Sequence, residues 1–380
     1  MKKKILMIST YFPPSGGVGV FRITKFAKYL KYFGYDVVVV TIDNKYCINK
    51  DLTFINDIKD LKIYRLNFKT KKSVSKDFSK CLKKQLPGII KIEKPNLVFI
   101  TGGPFHILPI GRFVYNKFKI PYIIDLRDPW SLQKIQGKNL FEKIICKIIR
   151  LRDTILEKIT FSKAKYICVV NDSMKNEYKK KYPYYSFEVI TNGYDQDDFS
   201  RNNPFNYGKF SICYTGKFSV SAGFRDPSNF FKALNKLDDV YFYHVGNIEQ
   251  DVVKLSKKYG CYDKCNFLGF QEYNKTISYQ KGASILLIIS GDESSEQTGK
   301  IFDYIGSNKP ILALTNKNNE IYKICKEFDN IYVVDKNDVD SIVEEINKIK
   351  KISLKKQSKK QIEKYSRKEL TKKLIELIEK

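Results

Sequence analysis

The sequence predicts an α/β chain built from two doubly wound parallel sheets, one after the other. Three observations carry that expectation. Short apolar runs alternate with helically spaced segments, and the alternation restarts after a polar stretch near the middle. Hydrophobic residues make up 43% of 380 positions, enough to bury sizeable cores. A strand covered on both faces reads as a continuous apolar run, and such strands belong to parallel sheets sandwiched by helices.

In the first half, Lys4–Ser9 is a short apolar run. Phe21–Tyr32 sets Phe21, Ile23, Phe26, Ala27 and Leu30 at helical spacing and stops at Gly34. Val37–Thr41 is β-branched, and Asn96–Thr101, Pro121–Asp125, Tyr166–Asn171 and Phe187–Thr191 repeat the strand pattern. Lys138–Lys165 reads as a long helix with Phe141, Ile144, Ile145, Ile148, Ile155 and Ile159 on one face. Lys143, Lys147 and Arg150 lie on the other, diluted by Glu142, Asp153 and Glu157, while Arg152 interrupts the apolar stripe. A core-facing helix is the ordinary expectation for this pattern, and a face toward a membrane is the alternative.

Asp195–Lys209 is polar, carries Asn202-Asn203-Pro204 and reads as a linker. Phe210–Thr215 then opens a second set of strands, with a helix around Ser228–Leu237. Val240–Val245, Cys265–Leu268, Ser284–Ser290, Pro310–Leu314 and Ile331–Val334 continue it. Leu354–Lys380 is Lys/Glu-rich and reads as a solvated amphipathic helix. The expected organisation is a domain over 1–200, a second over 201–360 and a terminal helix over 361–380.

Sixty-nine Lys and Arg against 41 Asp and Glu give a formal charge of +28. Such a chain needs an anionic partner: nucleic acid, phosphorylated small molecules or anionic lipid. The densest basic stretch is Lys62–Lys94, but no block of successive Lys/Arg resembles a nucleic-acid tail. Eight scattered cysteines suit free thiols, and only Cys261 and Cys265 lie close, with no second pair to complete a zinc set. Two histidines, His106 and His244, exclude a His-rich metal centre. No apolar run approaches the roughly 20 residues of a membrane span, and Ile5–Ile8 is too short for a signal peptide, so a cytoplasmic location is expected.

Ligands of open α/β sheets bind beyond the carboxyl ends of strands. The first such loop is Pro13-Pro14-Ser15-Gly16-Gly17-Val18-Gly19, ahead of a helix whose N-terminus favours anions. Arg22 stands where a dinucleotide fingerprint needs its third glycine, which argues against NAD although Asp43 follows the second strand. Thr101-Gly102-Gly103-Pro104-Phe105-His106 offers a histidine for a sugar or a proton, or one held for structural reasons. Asp125-Leu126-Arg127-Asp128-Pro129-Trp130 holds either a buried ion pair anchoring the loop or charges presented to a hydroxyl or phosphate.

In the second half, Gly216-Lys217 and Arg225-Asp226 flank a stretch containing Gly223, and two cations there could clamp a diphosphate without a metal. Glu293-Ser294-Ser295-Glu296-Gln297-Thr298-Gly299-Lys300 precedes a short helix, stopped by Gly306 and Pro310. Its N-terminus with Lys300 forms an anion site by dipole and charge together, and Asp303 one turn in suits ribose hydroxyls. Asp195-Gln196-Asp197 and Asp338-Val339-Asp340 are metal-type spacings, but the second reads as a helix cap.

Taken together, the chain resembles a bacterial family 4 glycosyltransferase of the GT-B fold. The resemblance rests on Tyr11-Phe12-Pro13-Pro14 with Gly16-Gly17, Arg127-Asp128-Pro129-Trp130, and Asn192-Gly193-Tyr194-Asp195 with Asp198-Phe199. In the second half it rests on Tyr214-Thr215-Gly216, Arg225-Asp226-Pro227, Leu268-Gly269 and Gly299-Lys300-Ile301-Phe302-Asp303-Tyr304. The resemblance implies two Rossmann-like domains facing across a cleft, and retaining transfer of a sugar from a nucleotide diphosphate to an acceptor hydroxyl. It implies Lys217 and Arg225 as diphosphate-binding cations and Asp303 as the ribose acid. Gly17, Thr298, Gly299 and Lys300 join the donor side, with Gly16 and Arg127 on the acceptor side. Glu296, Asp128 and His106 are the expected catalytic groups. The family often spaces its two acids with seven residues between them, whereas Glu296 and Asp303 have six, so Glu293 rivals Glu296.

No cofactor or metal is expected. The expected partners are a nucleotide-diphosphate sugar, a glycan or lipid-linked acceptor and an anionic membrane surface, with no nucleic acid. Bacterial relatives commonly build surface polysaccharides (capsule, O-antigen or lipopolysaccharide), so a location at the inner face of the cell membrane, held mainly by charge, follows. The alternatives are a nucleotide-sugar epimerase on the same fold and a basic nucleic-acid-binding protein.

Overall fold

The computed structural model describes residues 3–47, 50–133, 139–220, 225–291, 298–317, 319–352 and 358–380. They form two compact units, Met1–Thr191 with Arg367–Lys380, and Asn192–Ser366. In the first unit, β1 (Lys4–Ile8), α1 (Val18–Tyr32), β2 (Asp36–Ile42), α2 (Ile55–Ile58) and β3 (Lys62–Leu66) come first. They are followed by α3 (Val74–Glu93), β4 (Leu97–Thr101), α4 (Ile110–Phe118) and β5 (Tyr122–Asp125). Next come α5 (Leu140–Phe161), β6 (Tyr166–Val169), α6 (Asp172–Lys181) and β7 (Phe187–Val189). All pairings are parallel, in the order β3-β2-β1-β4-β5-β6-β7. The order reverses direction between β1 and β4, where Ile5 pairs with Leu97 and Ile8 with Ile100. Ile5–Ile8 and Val98–Ile100 are buried, as a sheet covered on both faces requires.

The second unit runs α7 (Gln196–Arg201), β8 (Phe210–Thr215), α8 (Ser228–Asn235), β9 (Val240–Val245), α9 (Gln250–Lys258) and β10 (Cys265–Phe267). It continues with α10 (Tyr273–Gly282), β11 (Ile285–Ile289), α11 (Lys300–Ser307), β12 (Ile311–Leu314) and α12 (Glu320–Cys325). It closes with β13 (Ile331–Val334), α13 (Val339–Lys351) and α14 (Lys359–Glu363), and α15 (Arg367–Glu379) returns to the first unit. Its sheet is also all parallel, in the order β10-β9-β8-β11-β12-β13, with the reversal between β8 and β11.

Four expectations need correction. The units divide after Thr191 rather than at 200, and the expected linker Asp195–Lys209 opens with α7 before an irregular, largely exposed stretch over 202–209. Asp195 caps α7 by accepting from the Asp197 amide, and Tyr194 and Phe199 pack edge to face over Gly306, where a Cβ would lie 2.5 Å from the Tyr194 ring. Nor does Gly306 stop α11, which ends on Asn308 in the left-handed region.

The C-terminal stretch is two helices, not one solvated helix. Leu370, Leu374, Leu377 and Ile378 bury against α1 in the first core. Glu379 accepts from Tyr35 Oη at 2.5 Å and pairs with Lys3. Finally, α5 does not turn its apolar stripe to the core. Phe141, Ile148, Leu151 and Ile155 are exposed by 72, 63, 64 and 52%. No helix among the described residues is long and apolar enough to cross a membrane.

A buried acid ties three elements of the first sheet together. Glu93, in the last turn of α3, pairs with Lys62 of β3 at 2.5 Å and Lys4 of β1 at 3.1 Å, and accepts from Tyr64. Burial alone would raise its carboxyl, but the contacts from Lys62, Tyr64 and Lys4 outweigh this and hold it at about 2. A carboxyl depressed below its ordinary value stabilises the fold above that value, and the contribution fades as pH falls from about 4.5 toward 2. Lys62 is largely exposed, so solvent screening reduces the effect. Glu93→Gln is expected to cost about 1–2 kcal/mol near neutral pH and to flatten the acid limb of stability. Urea unfolding of both proteins across about pH 3 to 7 checks this. Parallel pH profiles would contradict it.

Candidate active site

In the second unit the reversal of strand order places the loops after β8 and β11 side by side. Beyond β8 the chain turns at Gly216, whose φ of 96° lies in the left-handed region. Gly216, Gly246 and Gly269 lie at the carboxyl ends of β8, β9 and β10. The Gly216 amide donates to Val245 at 2.7 Å, and that of Gly246 to Gly269 at 2.9 Å. A Cβ on Gly246 would meet the Gly216 carbonyl oxygen at 2.5 Å. That oxygen accepts from His244 Nε2 at 2.8 Å, so the ring carries its proton there. Burial pushes the His244 imidazolium below its usual value, and Lys300 acts in the same direction.

The following turn is held by Glu249, whose two oxygens accept from the Phe218 and Ser219 amides at 2.7 and 2.8 Å. The Arg225 amide donates to the Phe218 carbonyl at 3.1 Å, closing the loop so that Lys217 and Arg225 flank one backbone contact. Lys217 is exposed and Arg225 half-buried. Phe218 stacks on Tyr214 at 3.9 Å between centroids, and Tyr214 Oη donates to the Lys217 carbonyl at 2.8 Å. Lys300 Nζ lies 3.6 Å from the centre of the same Tyr214 ring. Two groups that close to one ring centre must occupy opposite faces. The ring therefore holds the turn on one side and a cation on the other.

Lys300 opens α11, beside Gly216, with its Nζ 3.5 Å from where a Gly216 Cβ would sit. The first turn of α11 closes by long bonds, from Ile301 N to Thr298 O at 3.3 Å and Phe302 N to Gly299 O at 3.2 Å. Thr298 is buried and Gly299 exposed. Asp303 accepts from Tyr273 Oη at 3.0 Å. Behind it, buried Tyr304 accepts from the Thr215 amide at 2.9 Å and fixes α11 against β8. The positive end of the α11 dipole and Lys300 thus meet at the reversal point of the sheet, an arrangement suited to a phosphate. Glu293 and Glu296 lie outside the described residues.

In the first unit the charged loop after β5 serves the backbone. Arg22 and Asp125 form a buried pair: Nη2 donates to Oδ1 at 2.8 Å and Nε to both carboxylate oxygens at 3.1 Å. Arg22 Nη1 donates to the Thr191 carbonyl at 2.6 Å, and Thr101 Oγ1 to Asp125 at 2.9 Å. Arg127 sets its guanidinium on three carbonyls, those of Gly102 at 2.8 Å, Gly103 at 2.6 Å and Gly19. A Cβ on Gly19 or Gly103 would come within 2.9 or 2.5 Å of that guanidinium. Arg127 therefore braces the loops after β1 and β4 from within. Gly17 starts α1 with φ 97° and open space around its Cβ position, and Gly16 is half-buried beside it. Asp128 is exposed, and exposed His106 places Nδ1 3.2 Å from Ser75 Oγ of α3.

Residues 195–369 match the family model described as glycosyl transferases group 1. The sucrose-phosphate synthase of Thermosynechococcus elongatus has 12% identity and a TM-score of 0.72, with 100% of this chain and 98% of that one covered. Anabaena HepE in complex with UDP-glucose has 14% identity and a TM-score of 0.67 over 99% of each chain. The UDP-GlcNAc 2-epimerase of Methanocaldococcus jannaschii has 13% identity and a TM-score of 0.60 over 100% and 99%. The chain has the GT-B glycosyltransferase fold. No curated protein sequence matches it.

Within the second GT-B domain, the expected residues Lys217, Arg225, Thr298 and Gly299 fall on the two loops at the reversal of the sheet, and Lys300 and Asp303 on the first turn of α11 that follows. Sequence reasoning assigned no role to Glu249, His244 and Tyr273, which position them, and marked Tyr214 only as part of the Tyr214-Thr215-Gly216 motif. The only signal was that each sits at or just past a strand end or opens the next helix. Gly246→Ala is expected to lower stability by about 1–3 kcal/mol, because the new methyl collides with the Gly216 carbonyl. Gly269→Ala meets open space and carries only the left-handed backbone penalty of about 1 kcal/mol. Thermal unfolding of the two variants checks the order. Equal losses would contradict it.

Proposed function

We propose that this protein is a retaining glycosyltransferase of the family 4 kind. It moves a sugar from a nucleotide-diphosphate donor to a hydroxyl of a lipid-linked acceptor for a bacterial surface glycan such as capsule, O-antigen or lipopolysaccharide. The observation that carries the donor side is Lys300, held over Tyr214 beside Gly216 at the start of α11. The group 1 match over the same loops supports it.

When the bond from the anomeric carbon to the diphosphate breaks, negative charge builds on the leaving phosphate. Lys217, Arg225, Lys300 and the α11 dipole stabilise that charge, and the surrounding hydrogen bonds hold them in place beforehand. Asp303 takes the ribose hydroxyls. The acceptor hydroxyl attacks the same face of the sugar and passes its proton to the departing phosphate oxygen. Glu296, or Glu293, lies against the donor sugar, and a covalent carboxylate intermediate is the other route to retention. Gly17 belongs to the donor side and Gly16 and Arg127 to the acceptor side, with Asp128 and His106 as further catalytic groups. Of these, Arg127 acts through the two glycine loops it braces. On this reading the reaction needs no metal, because the cations and the helix dipole do the electrostatic work. The enzyme works at the inner face of the cell membrane, on an anionic surface.

Lys300→Ala and Arg225→Ala are each expected to cut transfer by about 2–4 kcal/mol in activation free energy while leaving thermal unfolding unchanged. Near wild-type turnover in both would remove the diphosphate from this loop pair. Transfer is expected to persist in chelator, and loss restored by Mg²⁺ would contradict the metal-free reading. The likeness to an epimerase supplies a second reading, read from donor alone. Recovery of an epimerised nucleotide sugar would replace transfer with epimerisation.

A further inference from the structure

The outward stripe of α5 is set by what pins its opposite side. Glu157 is fully buried and accepts from the Ser131 amide at 2.9 Å, Tyr178 Oη at 3.0 Å and Tyr182 Oη at 2.9 Å, with Lys181 Nζ at 3.3 Å. Phe161 packs among Trp130, Tyr178, Tyr182 and Phe187. Tyr122 Oη donates to the Thr160 carbonyl at 2.5 Å. At about 100° per residue, Ile148, Ile155 and Ile159 project roughly opposite Glu157. The helix cannot roll its stripe inward without unpairing a buried carboxylate.

The stripe is therefore a permanent feature of the surface. Phe141, Ile144, Ile145, Ile148, Leu151, Ile155 and Ile159 form one exposed ladder along the helix. Lys143, Lys147 and Lys158, all exposed, edge it on one flank, and Arg152 lies within it. Isolated exposed apolar residues are ordinary, but a continuous ladder on one helix marks an interaction surface.

We infer that α5 lies in the headgroup region of an anionic bilayer, its apolar ladder inserted and its lysines on lipid phosphates. Charge selects this occupant over a second copy of the chain. Two copies of a chain carrying +28 repel as they approach, and a parallel two-fold contact would also set Lys147, Arg152 and Lys158 against their own copies. An anionic surface meets the same cations with opposite charge, each worth having near the headgroups. The inference deepens the membrane part of the proposed function and replaces attachment mainly by charge with insertion as well.

The test is co-sedimentation of the full chain with vesicles of phosphatidylcholine alone or mixed with phosphatidylglycerol, over a salt series. Wild type is expected to bind the anionic vesicles and to keep part of that binding at about 0.5 M NaCl, where charge alone is screened. Ile148→Ser with Ile155→Ser is expected to lower partitioning at least about tenfold with unchanged salt dependence. Lys147→Ser with Lys158→Ser should instead flatten the salt dependence. Unfolding temperature and far-ultraviolet circular dichroism, both expected unchanged, show that the variants are folded. Equal binding by the serine double variant would overturn the inference. So would sedimentation velocity showing a dimer that the double variant makes monomeric, without vesicle binding by wild type. Neither outcome touches transfer to a soluble acceptor, which tests the proposed function separately.

Discussion

The first unit is arranged around a guanidinium with no access to water. Arg22 is buried in the first turns of α1, and an unpaired charge there would cost several kcal/mol. Asp125, at the carboxyl end of β5, neutralises it, and Thr101 at the end of β4 supplies one of the remaining hydrogen bonds. The Thr191 carbonyl, where the chain leaves this unit, takes another. One ion pair thus ties α1, β4, β5 and the end of the chain segment. With Asp125 committed to Arg22, Arg127 turns instead to the carbonyls of Gly19, Gly102 and Gly103. Gly19 and Gly103 are required because the guanidinium occupies the space a side chain would need.

The second unit handles its cation differently, and the difference bears on chemistry. Lys300 sits at the carboxyl ends of the strands on the face of Tyr214, whose quadrupole attracts the ammonium. The ring is itself fixed by Phe218 and by its hydroxyl on Lys217. Glu249 fixes the turn through two backbone amides and so stays within the turn. The bonds of Glu249 and Tyr214 to backbone hold the turn, so that Lys217 and Arg225 are arranged before a ligand arrives. Electrostatic stabilisation of a leaving diphosphate depends on that prior arrangement.

The buried strands were legible because both faces of a parallel sheet are covered, so their sequences are apolar without interruption. β3 was not, since Lys62-Ile63-Tyr64-Arg65-Leu66 is an edge strand whose charges answer Glu93 and the Pro13 carbonyl. The basic stretch Lys62–Lys94 read as charge density, yet its second half is α3 with Phe78, Leu82, Leu86 and Ile89 buried. Lys217, Arg225 and Lys300 were legible as cations after strands. Their supports were not, because a tyrosine or glutamate at a strand end has no local signature of what it holds. The Arg127 loop was legible as charged, but only distance tells a guanidinium bound to carbonyls from one offered to a ligand.

Net charge carries the same ambiguity, and the structure narrows it. Arg22, Arg127 and Lys25 are all basic and all engaged inside the first unit, Lys25 with Asp57 at 2.6 Å. They add to the +28 of the chain while offering nothing to a partner. What remains is carried by exposed lysines, whose value depends on what lies beside them. On α3 they border ordinary solvated surface, because its apolar face is buried. On α5 the apolar face is the outward one, because Glu157 and Phe161 anchor the other side. A helix whose core side is made by Glu157, Thr160, Phe161 and half-buried Leu156 has the rest of its hydrophobicity left over for something else. Charge brings such a surface to an anionic one, and the apolar ladder decides whether it stays once salt has weakened the attraction.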